Sequence, residues 1–457
     1  MTSKNKSCII VGGGISGLCA AYWLMRENFD VTVLERDDTP GGAMKTVHRD
    51  GYLIDTGPNS SLETTPLFNE LFTSLGIIDK RVYANETANK RYILRDGNLH
   101  AIPMSPGSFL KTKLWSTGGK LRILKEPFIG RANGEESIAQ FVERRLGREF
   151  LDYAINPFVA GVYAGNPEEL SVRSAFPKLY RLEEVYGGLI KGMIKGRKER
   201  KQRAEQSKQS AKMFSFKDGM GTFPRAIGEA LGDRLILNTT ATSIEKNNGE
   251  YKVTADTDNG QKEFTADHVI LSVPAYHAAR LLGSIDTSIN DTLENIYYPP
   301  VTMVFFGYSK NVISQPLDGF GYLIPAKEKR KILGTIWSST IFPNRAPEGH
   351  AAFTTFVGGS RQPDITRHDE TTLRELVHEE IASILGVTEK PEFYYIKKWK
   401  RAIPQYKLGY GKTIEQIEEF EQKNAGLHLC SNYRGGISVG DCVMNARRTV
   451  DTIIETA

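Results

Sequence analysis

The stretch Cys8-Ile9-Ile10-Val11-Gly12-Gly13-Gly14-Ile15-Ser16-Gly17 decides the fold of this chain. A short β-rich run leads into glycines spaced G-x-G-x-x-G, and residues 18–26 then follow a helical pattern. In this setting Gly12 permits a tight turn, Gly14 leaves room for a pyrophosphate beside the backbone, and Gly17 lets helix and strand pack closely. Ser16 lies in the first helical turn, where free N–H groups and the positive end of the helix dipole attract phosphate.

An acidic residue after the second predicted strand supports nucleotide binding. That strand covers residues 30–34 and is followed by Glu35, about twenty residues after the glycines. A carboxylate there can accept hydrogen bonds from both ribose hydroxyls and disfavours a 2′-phosphate. The next residue, Arg36, is predicted to be a further contact of the nucleotide. The alternative is a glycine-rich turn in an ordinary α/β protein, but strand, helix, strand and acid are all in the required order.

A second pair of glycines distinguishes FAD from NAD. Gly41-Gly42-Ala43 follows soon after the acid, and Gly57-Pro58-Asn59-Ser60 comes next, whereas an NAD-dependent dehydrogenase would continue into another helix and strand. An extended loop suits the longer cofactor, and the pattern resembles the flavin amine-oxidase superfamily, which implies FAD. That superfamily usually has Arg after the glycine pair. Because Ala43 stands here, the contact of that Arg is either absent or made by Lys45.

The C-terminal segment is predicted to close the flavin site. Residues 426–443 read as a strand, a glycine-rich turn and a helix that begins near Gly440, with Val439 and Val443 at its start. A helix N-terminus near the flavin would favour its reduction, although a terminal unit that only completes the sheet fits the same pattern. Trp399 is predicted to lie in a rigid loop over the cofactor, and a packed surface loop is the alternative. The resemblance implies that the backbone at Ala241 meets the adenine side.

Further segments resemble the protoporphyrinogen oxidase family more closely than the wider superfamily. They lie in order along nearly the whole chain, at residues 57–60, 89–93, 156–161, 165–171, 216–221, 319–325, 342–347, 354–361 and 431–442. The chain is therefore identified as a member of that family, of the oxygen-dependent, FAD-containing type. Ser431 departs from an expected glycine, and Tyr163 from an expected small residue. We expect Tyr163 to narrow or reshape the substrate pocket.

The resemblance implies both a reaction and the residues that support it. FAD takes a hydride from a meso carbon of a porphyrinogen and passes the electrons to O₂, which becomes H₂O₂, in three two-electron steps. Arg91 would bind a substrate propionate through two hydrogen bonds. Leu323 and Phe342 would sandwich pyrrole rings, and Gly161 would bring its carbonyl near the reacting carbon. The alternatives are a surface arginine, plain core packing and a simple turn glycine.

The sequence leaves more than one substrate possible. Protoporphyrinogen IX is predicted, and coproporphyrinogen III is the closest alternative because the same fold and chemistry would serve it. Another reaction of the superfamily, such as amine oxidation or carotenoid desaturation, comes next. A protein that binds flavin without turnover and uses a basic patch to dock a partner is the alternative outside enzymes.

Composition excludes several other classes of protein. The chain has 457 residues, 59 Lys and Arg against 54 Asp and Glu, and a net charge of +5, which is typical of globular proteins. Four cysteines without a C-x-x-C pair and eight scattered histidines predict reduced thiols and no metal site. No apolar run reaches the ~20 residues of a membrane span. We expect a cytoplasmic protein, peripheral on a membrane at most, that binds no nucleic acid.

The predicted fold class is α/β, with three domains. A Rossmann-like FAD-binding domain of the amine-oxidase/p-hydroxybenzoate-hydroxylase type is joined by an α+β substrate domain with an antiparallel sheet and by an inserted helical domain. The boundaries are predicted at 1–85, 213–282 and 415–457 for the FAD domain, 283–414 with parts of 86–100 for the substrate domain, and 95–212 for the helical domain.

The positive charge is concentrated in the predicted helical domain. Residues 191–212 contain nine basic and two acidic residues, a local excess of +7 that is larger than that of the whole chain. Apolar residues between the lysines at 189–195 favour attachment to anionic lipid headgroups, and a solvated charged excursion is the alternative. A homodimer is also left open.

Overall fold

The computed structural model describes residues 6–202, 211–247 and 249–456. Its strands are β1 Ser7–Val11, β2 Asp30–Leu34, β3 Thr46–Arg49, β4 Tyr52–Asp55, β5 Ser61–Leu62, β6 Arg81–Tyr83, β7 Lys90–Arg95, β8 Asn98–Ala101, β9 Met213–Phe216, β10 Leu235–Ile236, β11 Thr240–Asn247, β12 Glu250–Thr257, β13 Gly260–Ala266, β14 His268–Leu271, β15 Val301–Ser309, β16 Gly319–Leu323, β17 Gly334–Trp337, β18 His350–Gly358, β19 Phe393–Trp399 and β20 Leu427–Leu429.

The helices occur between the strands and in one long insertion. They are α1 Ile15–Arg26, α2 Leu67–Ser74, α3 Pro106–Lys111, α4 Thr117–Ile123, α5 Ile138–Leu146, α6 Arg148–Phe150, α7 Asn156–Tyr163, α8 Val172–Ala175, α9 Pro177–Tyr186, α10 Leu189–Gln202, α11 Thr222–Leu231, α12 Ala275–Leu282, α13 Thr287–Glu294, α14 Ser338–Ile341, α15 Glu370–Leu385, α16 Tyr410–Lys423 and α17 Val439–Thr456. A π-helical turn, Leu151–Ile155, leads directly into α7. Within the described ranges, no helix is both long and apolar enough to cross a bilayer.

A five-stranded parallel sheet organises the first unit, with strand order β10-β2-β1-β14-β20. Its strands come from three separated parts of the chain, because β14 pairs with β1 on one side and with β20 on the other. The strands are short apolar runs that are buried on both faces, as is usual for parallel sheets. The carboxyl end of β1 therefore opens onto the glycine-rich turn before α1.

A seven-stranded sheet organises the second unit, with order β19-β15-β18-β17-β16-β7-β8. The pairs formed by β15 to β19 are antiparallel, but β7 joins β16 in parallel, so the sheet is mixed and not wholly antiparallel. Alternate residues of β15 enter different cores. Val304 and Phe306 pack in the core beneath α15, whereas Met303 and Phe305 pack on the opposite face, against the β3–β4 hairpin.

The helical insertion begins later than predicted. Residues 98–101 form β8, which pairs with β7 and extends the second sheet, so helices start only at Pro106. A buried ion network holds the insertion together: Arg145, which is 0% exposed, contacts both Glu126 and Glu183. Glu126 also accepts hydrogen bonds from the Leu189 and Ile190 N–H groups and so caps α10.

Candidate active site

The first glycine loop has an open position at its centre. A Cβ added to Gly12 would lie 2.6 Å from the Ser272 carbonyl oxygen, and one on Gly17 would lie 2.2 Å from the Gly12 carbonyl oxygen, so protein packing alone requires both glycines. A Cβ on Gly14 would meet no atom within 4 Å. The space beside Gly14 is therefore available to a ligand at the N-terminus of α1, where phosphate binds favourably.

The second glycine pair lies against the first loop. The Gly41 N–H donates to the Gly13 carbonyl at 2.8 Å, and a Cβ on Gly42 would come within 3.3 Å of the Gly14 Cα. Ala43 is exposed at the edge of this double loop. Lys45, which could have replaced the missing Arg, forms an ion pair with Asp37 at 2.5 Å. The two glycine segments therefore build one continuous cradle, and Lys45 contributes to it through a protein carboxylate.

Glu35 holds the first glycine loop and keeps acceptor positions free. It is 6% exposed, and its carboxylate accepts hydrogen bonds from the Gly13 N–H at 2.6 Å and the Asp37 N–H at 2.9 Å. A carboxylate has about four lone-pair positions, so two remain for hydroxyl groups. The Glu35 carbonyl accepts a hydrogen bond from the Thr239 N–H. This bond brings the start of β11, which contains Ala241, close to Glu35. Arg36 is exposed, with Nη1 3.2 Å from Nε2 of His277.

The predicted C-terminal contacts at Val439, Gly440 and Val443 are all buried. Helix α17 begins at Val439, and a Cβ on Gly440 would lie 2.6 Å from Thr64 Oγ1, so the helix start lies against the segment that follows residues 57–60. Val443 is 0% exposed and packs in the core between α1 and α17, which leaves its side chain no surface for a ligand. The Ser16 hydroxyl contacts the buried Cys442 thiol, whose pKa burial raises to about 12. The Ser16 hydroxyl is therefore already engaged with a buried protein group.

Trp399 ends a strand and does not lie in a loop as predicted. It is the last residue of β19, and its Nε1–H donates to the Thr56 carbonyl at 3.1 Å. This bond ties the second sheet to the turn before Gly57-Pro58-Asn59-Ser60. The Gly57 position has no room for a side chain, because an added Cβ would lie 2.0 Å from the Ala43 carbonyl oxygen. Sheet, turn and glycine cradle are thus joined at one place.

Arg91 and Leu323 share one face of the seven-stranded sheet. The parallel register places Arg91 beside Gly321 and Ile93 beside Leu323, on the face turned away from α15. Arg91 is exposed, and its guanidinium carbon lies 5.8 Å from the centroid of the Phe320 ring. No carboxylate among the described residues pairs with it. The Arg91 guanidinium is therefore available to an anionic group of a ligand.

Gly161 and Leu323 are brought into direct contact. Gly161 is an exposed residue of α7, and an added Cβ would lie only 2.6 Å from Leu323 Cδ2. These residues are 162 positions apart in the sequence. Helix α7 therefore crosses the end of β16 closely enough that a side chain at position 161 would displace Leu323.

A narrow cleft connects the remaining predicted residues. Aromatic and aliphatic side chains form most of its wall, and polar groups lie at its base; the lining residues are Leu53, Asp55, Asn59, Ser60, Phe320, Ile336, Ser338, Ile341, Phe342, Arg345 and Thr354. Phe342 thus shares the cleft with Phe320, the ring over which Arg91 lies. The cleft also borders Asn59 and Ser60 of the turn next to the glycine cradle.

Comparison with known proteins decides the family. Residues 15–454 match the model of the flavin-containing amine oxidoreductases. The chain belongs to this family. It is an FAD-dependent oxidoreductase, as predicted, and the open space at Gly14 together with the spare acceptor positions of Glu35 fits such a cofactor.

Similar proteins within the family include named porphyrinogen oxidases. Protoporphyrinogen oxidase 2 of Arabidopsis thaliana is 32% identical over 99% of this chain and 94% of its own length. The chloroplastic protoporphyrinogen oxidase of Nicotiana tabacum is 35% identical over 96% and 84%. Coproporphyrinogen III oxidase of Bacillus subtilis is 26% identical over 98% of each chain. The prediction of a relative of the protoporphyrinogen oxidases is confirmed.

A solved structure supports the fold. A candidate protoporphyrinogen oxidase from Exiguobacterium sp. 255-15 superposes with a TM-score of 0.83 at 24% identity, covering 99% of this flavoenzyme and all of the other chain. A reduced UDP-galactopyranose mutase reaches 0.76 at 16% identity, over 99% and 96% of the two chains. The predicted α/β fold class with an FAD-binding domain is confirmed.

Tyr163 does not reshape the pocket of this flavoenzyme. Its ring is 4% exposed and packs edge-on against Phe176 and Tyr406, and its hydroxyl donates to the Ala175 carbonyl at 2.9 Å. The side chain faces the core behind α7 and not the side of Gly161. The expectation that Tyr163 narrows the substrate pocket is therefore wrong, because a position two residues along a helix points to a different face.

A buried ion pair at the base of the cleft was missed from the sequence. Arg345 and Asp55 are 2% and 5% exposed, with Nη2 and Oδ2 3.6 Å apart. Arg345 also donates to the Ser215 hydroxyl at 2.7 Å, and its guanidinium carbon lies 5.4 Å from the Phe342 ring centroid. Burial raises the pKa of Asp55, and the Arg345 charge and the Thr46 hydroxyl oppose that shift. Arg345 lies in one family-like segment and Asp55 lies two residues before another, but no local pattern showed that they pair.

Proposed function

We propose that this flavoenzyme oxidises protoporphyrinogen IX to protoporphyrin IX. The substrate loses six hydrogen atoms in three two-electron steps, and three O₂ become three H₂O₂. The observation that carries the proposal is an apolar cleft lined by Phe320 and Phe342, with Arg91 lying over the Phe320 ring and no carboxylate partner for it among the described residues. Relatives named protoporphyrinogen oxidase at 32–35% identity support the same substrate.

The residues around the cleft bind and orient the substrate. The Arg91 fork binds a propionate through two hydrogen bonds, which fixes one edge of the tetrapyrrole. Phe342 and Leu323 pack on the pyrrole rings, and apolar burial of those rings contributes about 25 cal/mol per Å². Gly161 lies against Leu323, and the absence of a side chain there lets the substrate approach its backbone carbonyl in this proposal.

The cofactor lies along the glycine cradle in this proposal. The N-terminus of α1 and Gly14 receive the pyrophosphate, Glu35 accepts the ribose hydroxyls, and the backbone near Ala241 and Arg36 border the adenine. The flavin portion of the cofactor is surrounded by Gly42, the 57–60 turn, Trp399 and the start of α17 at Val439 and Gly440. Bound FAD supplies the two-electron acceptor that none of the protein side chains provides.

Coproporphyrinogen III is the second candidate substrate. Relatives named coproporphyrinogen III oxidase cover 98% of this chain at 26–28% identity. Coproporphyrinogen III carries four propionates in place of two propionates and two vinyl groups, so it needs more cationic partners and less apolar wall. The wall formed by Phe320, Ile336, Ile341 and Phe342 favours the vinyl-bearing substrate.

Anaerobic flavin reduction separates these candidates. The purified holoenzyme is mixed with excess protoporphyrinogen IX or coproporphyrinogen III, and loss of the visible flavin absorbance is followed by stopped flow. We expect faster bleaching with protoporphyrinogen IX. A higher kred/Kd for coproporphyrinogen III would reverse the choice, and no bleaching with either compound would refute porphyrinogen oxidation.

We also propose that the helical insertion attaches to an anionic lipid surface. Exposed apolar side chains accumulate between residues 104 and 128, and Phe128 and Met104 reach 89% and 76% exposure. Exposed Lys111, Lys113 and Lys125 lie between them. Glu126 caps the basic helix α10, so the apolar segment and the start of the basic stretch are neighbours. Two residues of the basic stretch, Arg203 and Lys208, lie outside the described residues.

Vesicle binding tests this attachment. We expect co-sedimentation with phosphatidylglycerol vesicles, and lower binding to phosphatidylcholine vesicles, because the lysines add electrostatic attraction to apolar insertion. Leu124→Ser with Phe128→Ser should weaken binding, while Leu408→Ser, an exposed leucine outside the insertion, should not. Equal binding to both vesicle types would contradict the role of the lysines.

The three-domain division, the cytoplasmic location and a homodimer stay predictions. Light scattering of the purified protein tests the homodimer.

A further inference from the structure

We infer that Arg361 is a positioning residue that sets the contact between Gly161 and Leu323. The inference rests on the proposed function, because that contact lies where the reacting carbon of the substrate is placed. Arg361 follows β18 and is not among the residues that line the cleft. Its effect on the reaction would therefore pass through helix α7.

The Arg361 guanidinium joins the start of α7 to the end of β16. Its Nη2 donates to both the backbone and the side-chain oxygen of Asn156, each at 2.6 Å, and its Nη1 donates to the Ile324 carbonyl at 2.9 Å. Asn156 is the first residue of α7, and Ile324 directly follows Leu323. One planar side chain thus links the helix that carries Gly161 to the strand that carries Leu323.

The same segment holds the other end of α7. The Ser360 N–H donates to the Ala164 carbonyl at 2.7 Å, and a Cβ on Gly359 would lie 2.5 Å from that oxygen. Residues 359–361 therefore run along α7 and contact it both before and after Gly161. A helix of eight residues is about 12 Å long, so contacts at both ends restrict tilt as well as translation.

The helix needs such support because its own start is irregular. The preceding turn, Leu151–Ile155, is π-helical, and π turns are uncommon and occur often at functional sites. The Asn156 side-chain oxygen accepts a second hydrogen bond, from the Ala326 N–H at 2.9 Å. Asn156 is thus the joint at which the π turn, α7 and the loop after β16 meet, and Arg361 donates to it twice.

The contacts of Arg361 indicate positioning more than charge pairing. All of its hydrogen-bond acceptors among the described residues are neutral oxygens, and its Nε has none. Burial lowers the pKa of Arg361 to about 10, so the group is still charged at neutral pH. A partly buried cation without a carboxylate is costly, and the planar five-donor fork bridges several carbonyls in a way that a lysine does not.

Substitution at position 361 should separate chemistry from binding. A misplacement of about 1 Å between reacting groups can lower a rate by about 100-fold. We expect Arg361→Gln to reduce the limiting rate of anaerobic flavin reduction at least tenfold, with FAD content and the Kd for the porphyrinogen within twofold of wild type. Arg361→Lys should give an intermediate rate, because an ammonium restores some of the donated hydrogen bonds.

Two further variants keep the test decisive. Arg330→Gln is the matched control: Arg330 contacts Glu380 of α15 at the rim of the same sheet, so its loss should leave the reduction rate unchanged. If Arg361→Gln does not fold, Asn156→Ala removes one acceptor and retains the guanidinium, and its rate should still fall. A wild-type rate in whichever of these two variants folds overturns the inference. Absence of bleaching in wild type would instead refute the proposed function.

Discussion

Replacing Gly161 with Ala should slow the reaction with little effect on stability. The added Cβ would lie 2.6 Å from Leu323 Cδ2, whereas carbon atoms in contact prefer about 3.5–4.0 Å. Leu323 would therefore have to move by roughly 1 Å, toward the side where the substrate is proposed to bind. Because Leu323 is half-buried, the movement does not require the core to rearrange.

The expected magnitudes follow from two opposing effects on stability and one on rate. Overpacking costs about 1–3 kcal/mol, and replacing a helical Gly by Ala recovers about 0.5–1 kcal/mol. The free energy of unfolding should thus fall by no more than about 2.5 kcal/mol. The limiting rate of flavin reduction should fall by about 100-fold, because the substrate ring is displaced by a comparable distance.

Stopped-flow flavin reduction and thermal melting measure these two quantities. Gly107→Ala is the matched control, since Gly107 lies in helix α3 and an added Cβ there would meet no atom within 4 Å. The double variant with Leu323→Ala should recover part of the rate by restoring space. A Gly161→Ala enzyme that reduces its flavin at the wild-type rate would refute the close-contact reasoning.

Three further predictions concern charged groups. Arg91→Ala should raise KM for the porphyrinogen at least tenfold with FAD still bound, because the propionate loses its partner; steady-state kinetics and the flavin spectrum measure this. Arg345→Met should destabilise the protein by about 3–5 kcal/mol at pH 7 by leaving the Asp55 charge buried and unpaired. Since the pKa of Asp55 is raised, protonation should return part of that stability as pH falls through it, as urea unfolding would show. Burial lowers the pKa of His428 to about 4, so stability from its neutral form should be lost between pH 6.5 and 4, and His428→Gln should flatten the curve there.

Each of these predictions has an outcome that contradicts it. An unchanged KM in Arg91→Ala would remove this arginine from substrate binding. Equal destabilisation of Arg345→Met at pH 4 and pH 7 would show that an unpaired Asp55 charge is not the cause. A pH–stability profile that is identical with and without His428 would mean that another group titrates in that range.

Local patterns were enough to predict the nucleotide half of the proposed site. The roles of Gly12, Gly14 and Gly17 could be read from spacing, because a strand–turn–helix confines the contacts of each glycine to a few neighbouring residues. Glu35 could be placed for the same reason. Val443 could not be placed in this way, because adjacent positions on a helix point in different directions, and one faces the core while the next can face a ligand.

The sequence by itself determined the family, the cofactor and the chemical types of the site residues, since these depend on short motifs whose geometry is local. Only the tertiary structure decided which distant residues meet. Gly161 reaches Leu323, Asp55 reaches Arg345, and Arg361 reaches Asn156, each across more than 150 positions. Such contacts depend on how two sheets and an inserted helix pack together. Burial then sets how strongly a charge or an absent Cβ affects stability and position, and no local sequence pattern shows this.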